Sequence, residues 1–114
     1  MSDCLFCKII ERKIPASIVY EDDRVIAFND INPQGPTHVL VVPKRHITSL
    51  LDVTTGDDAL VGGLVRRARE LARELGLGER GFRLVFNTGP DAGEAVPHLH
   101  CHIMGGRKLE WPPG

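Results

Sequence analysis

Net charge is nearly missing from this chain: 14 Lys and Arg face 15 Asp and Glu, leaving −1. A protein that holds nucleic acid or an anionic membrane through bulk positive charge is therefore not expected. Long apolar runs are missing too, and none approaches the roughly 18 residues of a bilayer-spanning helix. The stretch MSDCLFCKIIERK has no apolar segment behind a basic start, so no secretory leader is expected. Cysteine is scarce and odd in number, three in all. That gives no disulfide framework and makes a reducing, cytoplasmic setting the expectation. No repeat, low-complexity tract or linker-like shift divides the sequence, so its 114 residues are expected to form one domain, 1–114. An apolar share of 42% leaves room for a core.

Apolar spacing predicts an α+β fold. Leu5–Arg12 reads as a short helix with Leu5, Phe6, Ile9 and Ile10 on one side, ended by Ile14-Pro15. Ser17–Glu21 and Val25–Asn29 read as a hairpin around Asp22-Asp23-Arg24. After the turn Asn32–Pro36, the run Val39–Val42 within Thr37–Pro43 suggests a central strand. Asp57–Leu75 is the long helix: Leu60, Val61, Leu64, Val65, Ala68, Leu71, Ala72 and Leu75 fall on one face. Acids open it, Gly76 closes it, and Arg66 and Glu70 are spaced to pair. Gly62-Gly63 inside it cost about 1 kcal/mol each against alanine, which suggests close packing against a sheet or a partner. Phe82–Asn87 and Pro97–Met104 read as the last strands, with a glycine-containing loop over Thr88–Val96 between them. The tail 105–114 has no periodic pattern.

Histidine is where the sequence departs from the ordinary. It has five, and three of them, His98, His100 and His102, fall within five residues. Alternation on a strand sends all three rings to one side, roughly 6.6–6.8 Å apart, and Leu99, Cys101 and Ile103 to a core. Imidazole can serve as nucleophile, base or acid near neutrality, so such a row suits phosphate chemistry. His-x-His is equally a metal-ligand pattern, and the bare spacing leaves both open. Cys4-x-x-Cys7 has zinc-ligand spacing, although two packed thiols would look the same.

Longer segments decide between these readings. Phe6-Cys7-Lys8-Ile9-Ile10, Ile14-Pro15-Ala16, Glu21–Arg24, Asp30-Ile31, Pro36-Thr37-His38, His46-Ile47, His98–Met104, Gly105-Gly106-Arg107 and Trp111-Pro112-Pro113-Gly114 together resemble the histidine-triad (HIT) family. Within it they resemble the Hint branch, the histidine-triad nucleotide-binding proteins. The likeness runs from about Cys4 to Gly114. It implies a five-stranded antiparallel sheet with one long and one short helix. It also implies a homodimer with a continuous ten-stranded sheet, the tail 105–114 lying at its interface.

The resemblance also implies roles. His100 would be the nucleophile that attacks the α-phosphorus of a purine nucleoside phosphoramidate, giving a nucleotidyl-histidine that water hydrolyses. His102 would contact the phosphate or serve the leaving group, and His38 would relay a proton or orient His100. Asp30 would bind ribose. Leu5, Phe6, Ile9, Ile14, Phe28 and Ile31 would line the base pocket, though plain core explains some of them equally. Asn87, Gly93, Ala95 and Val96 would form the phosphate side. Cys4, Cys7, His46 and His98 would hold a structural zinc, and the chemistry itself would need no metal. Glu94-Ala95 replaces the family's usual Gln-Ser or Gln-Thr, so a hydroxyl is lost and a carboxylate gained, and a lower rate on phosphoramidates is expected. Two other functions fit these features: a nucleotide-sensing dimer with little turnover, and a dinucleoside polyphosphate hydrolase.

Overall fold

The computed structural model describes residues 3–114; Met1 and Ser2, part of the expected 1–114 domain, lie outside the described residues. Seven main elements follow one another: α1 (Leu5–Ile10), β1 (Ile18–Glu21), β2 (Val25–Asn29), β3 (Thr37–Pro43), α2 (Asp58–Glu74), β4 (Phe82–Val85) and β5 (Cys101–Gly105). The strands form one antiparallel sheet in the order β1-β2-β3-β5-β4. The β-branched run of β3 does lie in the middle, and it is almost wholly buried.

Alternation along the strands divides the core between the two faces of the sheet. Val25, Ala27, Val39, Val41, Cys101 and Ile103 pack with Leu64, Ala68, Leu71 and Ala72 of α2. Ile26, Phe28, Leu40 and Val42 face the other way, against Phe6, Cys7 and Ile9 of α1. Burial pushes the Cys101 thiol up to about 12, so it packs as an apolar residue.

The hairpin turn is held by Asp22, whose Oδ1 accepts the N–H groups of Arg24 and Val25, each at 2.8 Å. The 3₁₀ turn Thr55–Asp57, which leads into α2, opens on a capping box between Thr54 and Asp57. Helix α2 ends as Gly76 enters the left-handed region (φ 81°). There the N–H groups of Gly76 and Leu77 close on the carbonyls of Arg73 and Ala72 at 3.0 and 2.9 Å. Arg67 pairs with Glu70 more closely, at 2.9 Å, than the expected partner Arg66 does at 3.7 Å.

Three expectations need correction. The last strand begins at Cys101, not Pro97, so His98 and His100 precede it and only His102 lies on it. The reason is Pro43. The β3–β5 register runs from Thr37↔Gly105 to Val41↔Cys101, so the next pair in phase would be Pro43 and Leu99. Proline has no N–H for the ladder, the Pro43 carbonyl is taken by the His98 ring at 2.8 Å, and the Leu99 N–H bonds Ile47 O at 2.6 Å. Strand β4 likewise stops at Val85, two residues short of Asn87. Finally, a Cβ on Gly62 or Gly63 would meet nothing within 4 Å. Neither glycine is explained by packing within this chain.

Candidate functional site

Two clusters of ionisable side chains follow one another along the sheet, the first beyond the Val41–Cys101 end of the β3–β5 ladder and the second along the ladder itself. The first joins Cys4, Cys7, His46 and His98, whose ligand atoms all lie within 4.8 Å of one another. Cys4 is the N-cap of α1, so the Cys-x-x-Cys spacing turns both thiols toward the sheet. Cys4 Sγ and Cys7 Sγ stand 3.3 and 3.6 Å from His98 Nδ1. Cys7 Sγ is 3.4 Å from His46 Nδ1, and the two Nδ1 atoms are 3.0 Å apart. A tetrahedral ion with bonds of about 2.0–2.3 Å needs ligand separations of about 3.3–3.8 Å; the three sulfur–nitrogen distances fall in that range, and the two Nδ1 atoms would have to move slightly apart. His98 donates its Nε2–H to Pro43 O, which leaves Nδ1 bare; metal-binding histidines are oriented in this way. Burial holds the His98 ring neutral by lowering its pKa. The four residues form a cluster that could hold a metal ion.

The second cluster joins Asp30, His38, His100 and His102. Gln34 N–H donates to His38 Nδ1 at 3.0 Å, so the neutral ring carries its proton on Nε2. Nε2–H points to His102 Nδ1 at 2.8 Å, with Asp30 Oδ2 at 3.4 Å. The proton of neutral His102 is then on Nε2, where the Asn87 amide stands 3.5 Å away. His100 donates Nδ1–H to His98 O at 2.6 Å, leaving its Nε2 with a free lone pair. Its ring lies 4.8 Å from that of His102.

Asp30, His38 and His102 are also close enough to share an ion. The hydrogen bonds speak against one, because His38 Nδ1 accepts an N–H where a metal-bound ring would donate one. The arrangement suits proton transfer.

Burial is the main reason that the pKa of His38 is lowered and that of His102 falls to about 4; the neighbouring rings add to it and Asp30 opposes it. The unfolded chain binds protons first as pH falls from about 6.5. Stability should therefore decline between about pH 6.5 and 4, and His102→Asn should flatten that decline. Urea midpoints measured across this range check it.

The residues expected to line a base pocket separate into two groups. Phe6, Ile9 and Phe28 are buried core, with Ile14 and Val96 packed against them. Ile31 is fully exposed and Leu5 is half exposed. Phe6 meets His100 edge-on at 5.0 Å and Phe28 at 5.4 Å. Gly93 and Ala95 are exposed on the loop. Glu94 Oε1 accepts the Gly89 N–H at 2.9 Å within that loop, so the unusual carboxylate ties the loop to itself. The roles of Gln34, Pro43 and the His98 carbonyl were not foreseen. All three act through main-chain atoms, which side-chain motifs do not report.

The chain is 54% identical to an uncharacterized HIT-like protein of Synechocystis, over 98% of this chain and 97% of that one. It is 46% identical to a 14 kDa zinc-binding protein of Brassica juncea, over 98% and 100%. Among solved structures, a HIT family hydrolase from Legionella pneumophila superposes with a TM-score of 0.96 at 49% identity, over 98% and 100% of the two chains. A histidine triad nucleotide-binding protein from Candida albicans superposes at 0.82 and 29% identity, over 96% of this chain and 83% of that one. Residues 11–109 match the HIT domain. By sequence, by fold and by the placement of its histidines, this chain belongs to the HIT domain family.

Proposed function

We propose that the protein is a Hint-type hydrolase that cleaves the P–N bond of purine nucleoside phosphoramidates through a nucleotidyl-histidine on His100. The observation that carries the reading is the bond from His100 Nδ1–H to the His98 carbonyl, which leaves Nε2 as a lone pair beside the His38–His102 pair. In the first step Nε2 bonds to phosphorus and the P–N bond breaks, its electron pair leaving with the amine. A bound phosphate brings negative charge that opposes the burial keeping His102 neutral. Protonated His102 then gives its proton to the amine. In the second step water bonds to phosphorus and gives up a proton to His102, which had lost its own to the amine, while the His100–P bond breaks and its pair returns to Nε2. Asn87 and the Gly89–Val96 loop would receive the phosphate, Asp30 the ribose, and Phe6, Phe28 and the exposed Ile31 and Leu5 the base.

Incubation with an adenosine 5′-phosphoramidate tests the reading. Release of AMP and free amine supports it, and AMP binding without release favours the nucleotide-sensing alternative. Cys4, Cys7, His46 and His98 would hold zinc, which would pin α1 to the sheet.

A homodimer is part of the proposal. Strand β4 is an open sheet edge, and such edges invite pairing. Arg83 of β4 donates to the Leu109 and Glu110 carbonyls, tying the tail to that strand through a side chain, and Trp111 remains 80% exposed. Sedimentation should give twice the chain mass, and a single-chain mass would remove this part.

A further inference from the structure

We infer that Arg107 is a positioning residue for the proposed reaction, acting through the Gln34 backbone to hold His38 in the tautomer that serves His102. The inference rests on the phosphoryl-transfer reading above and adds a residue to it.

Two glycines place Arg107. A Cβ on Gly105 would lie 2.9 Å from Leu77 Cδ1. One on Gly106, where φ is +92°, would lie 2.8 Å from Pro36 Cβ. The backbone here passes close to the Leu77 side chain and then to Pro36, and it sets Arg107 down on the Asn32–Pro36 turn. Arg107 Nη2 donates to Gln34 O at 3.1 Å, and Nη1 donates to Lys108 O at 2.9 Å. Both bonds go to main-chain carbonyls, so the guanidinium is arranged to hold backbone.

Gln34 passes the constraint on. With its carbonyl held, its N–H points at His38 Nδ1 at 3.0 Å. That donor excludes a proton on Nδ1 and requires one on Nε2, which faces His102 Nδ1 at 2.8 Å and Asp30 Oδ2 at 3.4 Å. If the turn relaxes, His38 can take the other tautomer. The hydrogen bond at this distance would then require His102 to donate from Nδ1, and its Nε2 would lose the proton it turns toward Asn87.

The test uses the full-length, metal-replete protein. Imidazole 15N shifts should show the parent His38 protonated on Nε2 and bare on Nδ1. Arg107→Ala should give a mixture of tautomers. On an adenosine phosphoramidate, kcat should fall about tenfold, the scale of losing one charge-assisted hydrogen bond. KM should change less than twofold. Arg107→Lys keeps a donor and should recover most of both signals. The groups facing His38 are Asp30, His100 and His102, and none is altered by either variant. An unchanged His38 tautomer in Arg107→Ala overturns the inference, as does a rise in KM at constant kcat, which would make Arg107 a binding residue. The tautomer measurement needs no turnover, so a parent inactive on the substrate would count against the proposed function alone.

Discussion

His100→Ala is expected to lower turnover of an adenosine 5′-phosphoramidate by about 10⁴-fold or more while leaving AMP affinity within a few-fold. Removing a nucleophile removes the covalent route altogether, whereas removing a group that only orients it leaves the route open. The ring is 9% exposed, and Phe6 and His102 pack against it. The substitution therefore leaves a small gap without unpairing a partner ring, because the His38–His102 bond does not involve His100. Rapid acid-free quenching of labelled substrate should trap nucleotide on the parent chain through an acid-labile P–N bond, and none on the variant. Turnover retained within tenfold would show that the nucleophile is another group, and His102 would be the next candidate.

The second large effect concerns the thiol–imidazole cluster. Parent protein purified without chelator should contain one zinc per chain by mass spectrometry, and Cys4→Ala/Cys7→Ala should contain none. A ligand present at a thousand times its Kd stabilises the native state by about 4 kcal/mol. Each kcal/mol moves Tm by roughly 4–8 °C in a domain of this size. Metal loss should thus lower Tm by roughly 15–30 °C. Catalysis should suffer less than in His100→Ala, because the His98 carbonyl that orients His100 belongs to the backbone. Parent protein free of metal, with the double variant equally stable, would mean that the four side chains are only packed together.

Much of this molecule was legible along the chain. The 3.6-residue spacing of Leu64, Ala68, Leu71 and Ala72 located α2 to within one residue at each end. The run Val39–Val42 marked the central strand because a strand covered on both faces has no polar side to show. The alternation of His100 and His102 with Leu99, Cys101 and Ile103 separated the histidine side from the core packed on α2, even though the strand covers only part of it. What escaped depends on partners far away in sequence. The strand ends at Cys101 because Pro43, across the ladder, has no N–H to offer. Arg107 meets Gln34 across 73 positions, and no local pattern signals it. The bond from Glu94 to Gly89 is short in sequence but depends on loop dihedrals that composition leaves undetermined. Gly62 and Gly63 do lie inside α2; the close contact inferred to offset their cost is not made within this chain.

Phe6 stands between the two cysteines on α1, and its ring meets those of both His98 and His100, at 5.9 and 5.0 Å. The HIT domain match begins at residue 11, after this whole turn of helix. A fragment cut at that boundary would keep every histidine and still lose half of the ligand set. It would also lose the ring that packs on His100 and the apolar cover over Ile26 and Phe28. The working unit of this protein is longer than its family signature, and expression designs, deletion maps and comparisons among relatives need to start at Cys4 or before.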